Sequence, residues 1–226
     1  MADDFSLLLA SSVHDMKNSL GMLLTSLDEL TADIGDLSES QRRQFAILQG
    51  EASRIRNDLI YLLGLYRVQT NDLSLNVDEV FVDDFIDQQV AQNALLLDMR
   101  NIRLELQCKK GLSGFFDEEL IAGVLSNVVV NAARYTCSKI EIRAYKEDGW
   151  LCIDVIDDGG GFPEDMIEQS NDVARTLDFK SGSTSLGLHF ASRIAAMHVA
   201  NDGRKGSIEI SNKSKNGHGC FRLRLP

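Results

Sequence analysis

Proline is scarce: two residues in 226, against 44% apolar residues and several long polar–apolar periodic stretches, a composition that excludes a disordered or fibrous chain. Long apolar runs are missing as well. The longest, Leu59–Tyr66, falls far short of the roughly 20 residues needed to cross a bilayer. Basic charge is in deficit, with 23 Lys and Arg against 34 Asp and Glu and a net charge of −11. Residues 1–70 hold 6 basic against 10 acidic, and residues 71–226 hold 17 against 24. With no basic stripe, contact with nucleic acid through its phosphates is not expected. The amino terminus is acidic (Asp3, Asp4) and lacks the basic region and cleavage pattern of a secretory signal, so the chain is expected in the cytoplasm, without membrane insertion. The four cysteines, Cys108, Cys137, Cys152 and Cys220, stand 29, 15 and 68 positions apart, with no CxxC and no His pair at zinc-site spacing. They read as buried thiols of a reducing compartment.

What the chain does have is a change of period. Leu9, Val13, Met16, Leu20, Leu23, Leu27, Leu30, Ile34 and Leu37 repeat at alternating steps of 4 and 3, a coiled-coil seam. After a break at residues 35–40, Phe45, Leu48, Ala52, Ile55, Leu59, Leu62 and Tyr66 continue the alternation, and Ser38 with Gln41 has capping-box spacing. Two helices of about 30 residues, each about 45 Å long, form an antiparallel hairpin that covers only half of each seam. A homodimeric four-helix bundle is the expected way to bury the rest.

From about Asp72 short strands alternate with helices. Strands are expected at Leu73–Val77, Ile102–Gln107, Lys139–Ala144, Leu151–Ile156, Ser207–Ser211 and Cys220–Leu225, and helices at Asp83–Arg100, Glu118–Ala133 and Leu186–Val199. The order points to a mixed sheet with helices on one face. The fold class is therefore α + α/β: a helical hairpin over residues 1–70, then an α/β sandwich over 71–226.

Four segments carry residues suited to chemistry. His14 follows the seam residue Val13 and so faces water, with Ser11, Asn18, Gly21 and Thr25, all small or polar, on the same face. An exposed neutral imidazole with a pKa of about 6.5 is a competent nucleophile, and Asp15 beside it can hold one tautomer. Taken alone, His14 reads more readily as a plain surface histidine than as a functional one, and His189, His198 and His218 lack even this setting. Asp157-Asp158-Gly159-Gly160-Gly161-Phe162-Pro163 follows a strand; its glycines permit close backbone approach and a carboxylate there can accept from an exocyclic amine, although such turns are often only loops. Ser181–Leu188 is a small-residue segment opening a helix, suited to anions or simply an ordinary cap. On a further helix Asn127 and Asn131 share one face, with Arg134 and Tyr135 one turn on. Amide oxygens suit a hard cation, arginine meets phosphate, and a tyrosine face suits a base. Two asparagines in so apolar a helix are unfavourable unless they have a polar task.

In this order the segments resemble a bacterial sensor histidine kinase core: a dimerisation and histidine-phosphotransfer hairpin followed by a GHKL-type ATP-binding domain. HDMKNSL (14–20) is similar to the H box, NVVVNAARYT (127–136) to the N box, DDGGGFP (157–163) to the G1 box and STSLGL (183–188) to the G2 box. The resemblance spans nearly the whole chain and implies autophosphorylation of His14 from Mg-ATP, with Asp15 as its orienting or general-base partner and Asn18 positioning water for phosphatase action. It implies Asn131 as the side-chain ligand of Mg²⁺, Asn127 and Arg134 on the phosphates, Tyr135 beside adenine, Asp157 receiving the adenine amino group, and Gly159 and Gly161 shaping the pocket. Thr184, Leu186, Gly187 and Leu188 would line the site from the G2 box. Such phosphoryl transfer needs positioning and charge neutralisation above all.

The chain departs from the family pattern in three places. Ser19 stands where a helix-bending proline is usual, Ser183 and Ser185 replace G2 glycines, and the segment between Phe162 and Ser183 is short. Ser185 could cap the helix that follows. GHKL ATPases of the gyrase and chaperone kind place a water-activating glutamate where this chain has Asn127, so transfer to His14 is expected over ATP hydrolysis. The alternative is a phosphotransfer scaffold with a degenerate nucleotide site; a serine-specific anti-sigma kinase would not require the hairpin. The implied partners are a second copy of the chain and a response-regulator receiver domain. Because 13 residues precede His14, a separate protein is expected to supply the signal.

Overall fold

The computed structural model describes residues 15–16, 18–27, 29–30, 38, 40–41, 44–45, 47–48, 51–52, 55, 59, 75–171, 182–213 and 217–226. Contacts divide the chain into two compact units, Met1–Leu73 and Ser74–Pro226.

In the first unit, residues 15–16, 18–27 and 29–30 are helical, as are 40–41, 44–45, 47–48, 51–52, 55 and 59. The expected capping box is formed: the Ser38 N–H and hydroxyl both donate to Gln41 Oε1 (3.0 and 2.9 Å), and the Gln41 N–H donates back to Ser38 Oγ (3.3 Å). Ser19 does not interrupt the first helix. Its hydroxyl donates to the Asp15 carbonyl one turn back (2.9 Å), which satisfies the side chain within the helix. Burial along the two seams alternates. Met16, Leu23 and Leu30 are 52%, 48% and 50% exposed, and Leu48 and Ile55 are also open. Leu20, Leu27, Phe45 and Leu59 are half-buried and Ala52 is buried. Among the described residues, one of the two seam columns on each helix is thus covered within the chain and the other is open.

The second unit is a two-layer α/β sandwich. A five-stranded mixed sheet is built from β2 (Arg103–Cys108), β4 (Lys139–Glu147), β5 (Trp150–Asp157), β6 (Ser207–Lys213) and β7 (His218–Leu225) in the order β2-β4-β5-β7-β6. The β2–β4 pair is parallel and the other pairs are antiparallel. A separate antiparallel ribbon joins β1 (Asp78–Phe81) to β3 (Ser113–Phe116). The helices are α1 (Val82–Met99), α2 (Glu118–Tyr135), α3 (Glu164–Asn171) and α4 (Gly182–Met197).

Strand alternation sorts the sheet into two faces. Ile142, Val155, Phe221 and Ile210 are in register across four strands, as are Ala144, Ile153 and Leu223 across three, and all are buried. Against them lie Phe85 and Ile86 of α1, Ile121, Val124, Leu125, Val128 and Val129 of α2, and Phe190 and Ile194 of α4. Each such side chain contributes about 1.5–3 kcal/mol by leaving water. The opposite face carries a row of charges in register, Arg143, Asp154, Arg222 and Glu209. Arg222 grips the buried Asp154 through two bonds (2.7 and 2.9 Å), Tyr145 donates to the same carboxylate (3.2 Å), and Arg143 pairs with Glu141. Burial, with Asp154 alongside, pushes the Tyr145 hydroxyl up to about 12.

Asp117 organises the entry to α2. Its side chain accepts from the N–H of Leu120 (3.0 Å) and from that of Asn76 (2.9 Å), while its own N–H donates to His198 Nε2 (3.0 Å). His198 is 2% exposed, and its Nδ1 lies 2.8 Å from the Ile194 carbonyl. A neutral imidazole with the proton on Nδ1 satisfies both contacts.

Several expectations need correction. The strand expected at Leu73–Val77 lies further on, at Asp78–Phe81, where it can pair with β3, a strand too short and glycine-containing to be anticipated. The helix expected from Leu186 starts at Gly182, so Ser185 lies inside it rather than at its cap. Of the cysteines only Cys152 and Cys220 are buried; Cys108 is half-buried and Cys137 is exposed on the turn after α2.

Candidate nucleotide site

Asp157 is the last residue of β5, on the face shared by Ile153 and Val155, and its partner across the ladder is Ile140. The strand's two-residue period therefore turns this carboxylate toward the helix layer, while Asp158 leaves the sheet. Asp157 is half-buried, and burial raises its pKa against the opposing hydrogen bond from the Gly159 N–H (2.9 Å). A side chain on Gly219 of β7 would come within 2.5 Å of Asp157 Oδ2, so glycine there keeps the carboxylate in place.

The turn after β5 is wedged between two elements. A Cβ on Gly159 would lie 2.3 Å from the Tyr135 carbonyl at the end of α2. Gly161 has φ +76°, and a Cβ there would meet the Gly217 carbonyl at 2.1 Å. The Asn212 side chain clamps the turn, accepting from the Phe162 N–H (2.7 Å) and donating to the Phe162 carbonyl (2.9 Å). Asp158 has a different task from its neighbour. It accepts from the N–H groups of Cys137, Ser138 and Lys139 (2.9, 2.9 and 3.0 Å) and from the hydroxyls of Thr136 and Ser138. Burial would raise its pKa, but these bonds, those of Ser138 foremost, hold it well below the usual carboxylate range. Asp158 thereby fixes the end of α2 to the start of β4.

On α2 the Asn131 amide donates to Asn127 Oδ1 (2.9 Å), the pairing that four-residue spacing allows. Gly187 of α4 packs directly on this pair: a Cβ there would stand 2.3 Å from Asn127 Nδ2. Arg134 is half-buried on the last turn of α2, and the Tyr135 ring is 57% exposed at its end. The structure thus seats Gly187 of α4 on the Asn127–Asn131 pair, and sets the turn that carries Asp157, Gly159 and Gly161 after β5 against Tyr135 at the end of the same helix. Leu188 is half-buried on α4; Thr184 and Leu186 lie on the helical backbone, with side chains outside the described residues. His14 also lies outside them. Asp15 and Asn18 are exposed on the first helix. Asn212, Gly217 and Gly219 escaped sequence reasoning: the Asn-Gly pair before β7 signals a hairpin, but nothing links it to a turn some 50 residues earlier.

Residues 116–226 match the family described as histidine kinase-, DNA gyrase B- and HSP90-like ATPases. The sensor-like histidine kinase SenX3 of Mycobacterium tuberculosis is 27% identical over 96% of this chain. The chain carries a histidine kinase catalytic core. It spans about half the length of this relative, 53%, and 39% of the sensor protein kinase PilS of Pseudomonas aeruginosa, which is 26% identical. Among solved structures, the Acinetobacter baumannii histidine kinase AdeS superposes with a TM-score of 0.61 at 18% identity, covering 92% of this chain and 95% of that one. ShkA, solved in complex with AMPPNP, gives 0.63 at 18% identity over 97% of this chain and 45% of its own. These likenesses confirm the fold of the histidine kinase core, N-terminal helices followed by a GHKL-type sandwich. No helix among the described residues is long and apolar enough to cross a membrane.

Proposed function

We propose that this histidine kinase core transfers the γ-phosphoryl group of ATP to His14 and then to an aspartate on a response-regulator receiver domain. The observation that carries the reading is the convergence of α2, β5 and α4, with Gly187 seated on the Asn127–Asn131 pair and Gly159 on the end of the same helix. In this reading Asp157 accepts from the adenine amino group, Tyr135 covers the base, and Asn127 and Arg134 meet the phosphates. Thr184, Leu186, Gly187 and Leu188 approach the nucleotide from α4.

The site fits Mg²⁺ brought in by the nucleotide. Among the described residues no group of three His, Cys, Asp or Glu could hold a resident ion, whereas Asn131, whose Nδ2 is committed to Asn127, keeps Oδ1 as a neutral oxygen for a cation bound mainly by phosphates. The ion would neutralise charge developing on the phosphates. The chain's own residues position the reactants. A lone-pair nitrogen of His14 bonds to the γ-phosphorus as the bond to the β–γ bridging oxygen breaks, and ADP leaves with that electron pair. The proton on the other ring nitrogen is held by, and passes to, Asp15. Asn18, one turn on, orients water when the receiver is dephosphorylated.

Dimerisation is part of the proposal. The seam residues left open, Met16, Leu23, Leu30, Leu48 and Ile55, form the apolar columns that a second hairpin would cover. The deciding experiment is incubation with γ-labelled ATP and Mg²⁺. Acid-labile, alkali-stable label is expected on the natural chain and on neither His14→Ala nor Asn131→Ala, while fluorescent nucleotide still binds the His14 variant. Label that persists in His14→Ala overturns the acceptor assignment.

A further inference from the structure

The turn after β5 has little shape of its own. Gly159, Gly160 and Gly161 follow one another, and consecutive glycines leave the backbone its widest choice of conformations, so what fixes the turn must act from outside it. One rung of the β6–β7 ladder does so. Asn212 stands opposite Gly219 in that register. Two residues on from Ile210 and two before Phe221, the pair lies on the sheet face that also carries Asp157.

Each member of the rung meets the turn. Asn212 Oδ1 accepts from the Phe162 N–H (2.7 Å) and its Nδ2 donates to the Phe162 carbonyl (2.9 Å), the two bonds that a facing strand residue would supply through its backbone. A Cβ on Gly161 would stand 2.5 Å from Asn212 Oδ1, so glycine there lets the amide reach the residue beyond it. Opposite, the space that a Cβ on Gly219 would fill is bordered by Asp157 Oδ2 (2.5 Å) and by the Phe162 ring (Cε2, 3.4 Å). Asn212 therefore grips the backbone of the residue whose ring borders the Asp157 carboxylate. Asn212 itself is exposed, and removing its amide opens no cavity in the core. The Asn127–Asn131 pair on α2 is packed by Gly187 of α4, and β6 takes no part in that contact.

We propose that Asn212 is a positioning residue for the nucleotide: it orders the glycine turn in advance, and with it Phe162 and the Asp157 carboxylate, for the base. The inference rests on the nucleotide reading above and extends base recognition to β6, outside the four segments that suggested the site. Because the clamp acts at the base end and leaves the phosphate end on α2 untouched, its loss weakens binding without slowing transfer from bound nucleotide. Fluorescent-nucleotide binding and γ-labelled ATP transfer test it on four full chains: natural, Asn212→Ala, Asp157→Asn and the double variant. Asn212→Ala should weaken nucleotide binding about five- to tenfold. The half-saturating ATP concentration should rise by the same factor, while the labelling rate at saturating ATP stays within about twofold. In the Asp157→Asn background the same substitution should cost less than about threefold, because the carboxylate it positions is already gone. Unchanged affinity in Asn212→Ala overturns the proposal. So do equal losses in both backgrounds, or a saturated rate that falls along with the affinity, since either marks a general loosening of the lobe. A natural chain that binds no fluorescent nucleotide refutes instead the nucleotide reading itself, and the positioning role with it.

Discussion

Gly187→Ala gives a test in which local and tertiary effects have opposite signs. In an exposed helix interior the change to alanine stabilises by about 0.5–1 kcal/mol, because alanine restricts the unfolded chain and glycine does not. Gly187 is the sixth residue of α4, and the new Cβ would stand 2.3 Å from Asn127 Nδ2 and 3.2 Å from its Cγ. The asparagine cannot simply swing away, because its Oδ1 holds the Asn131 amide at 2.9 Å. Overpacking of this kind costs about 1–3 kcal/mol, and a broken amide pair adds about 1 kcal/mol. The net expectation is a loss of about 1–3 kcal/mol, a fall in Tm of several degrees for a unit of this size, together with weaker fluorescent-nucleotide binding. Urea unfolding of the double-mutant cycle with Asn127→Ala assigns the cause, since removing the amide should recover at least about 1 kcal/mol of the Gly187→Ala penalty. A Gly187→Ala chain as stable as the natural one, or strictly additive variants, would refute the close packing of α4 on α2.

Asp158→Ala removes the acceptor shared by five donors; because water can reach part of that turn, the loss is about 2 kcal/mol, read as a lower urea midpoint. The Asp158 pKa is depressed in the fold, so its contribution is complete above the unfolded value of about 3.9 and disappears as pH falls through the folded value. Natural chain and variant should therefore converge in stability in strong acid, and parallel pH curves would contradict the assignment. His198 moves the other way: burial lowers its pKa, so the unfolded chain takes up the proton first, and stability should fall as pH drops below about 6.5. A flat urea midpoint between pH 7 and 5 would count against a neutral buried imidazole. Asp157→Asn keeps an acceptor for the Gly159 N–H and should change Tm little, yet lower fluorescent-nucleotide affinity about tenfold or more. Because burial raises the Asp157 pKa, affinity of the natural chain should begin to fall at a higher pH than for an ordinary carboxylate; a loss only below pH 4 would argue that Asp157 does not meet the base.

Periodicity and local chemistry were enough to place most of the chain. The heptads at Met16, Leu20, Leu23 and Leu27 mark a helix whatever surrounds it, the Ser38–Gln41 box is a contact between residues three apart, and alternating apolar residues marked β4, β5 and β7 within a few positions. The groups with suitable chemistry were equally legible, because asparagines in an apolar helix and triple glycine after a strand are anomalies of composition.

What could not be read off were partners distant along the chain. The β1–β3 ribbon exists because two four-residue segments meet, and neither is long enough to declare itself alone. Asp157 and Asp158 are adjacent and chemically identical. Only the sheet turns one toward the helix layer, where burial raises its pKa, and sends the other into the N–H groups of residues 137–139, where hydrogen bonds lower it. Asn212 and Gly219 act on the site through β6 and β7, and Gly187 matters because α4 crosses Asn127. Residue type and spacing thus decided which groups this protein owns. Which of them face one another depended on packing between elements far apart in sequence, and no local pattern encodes that geometry.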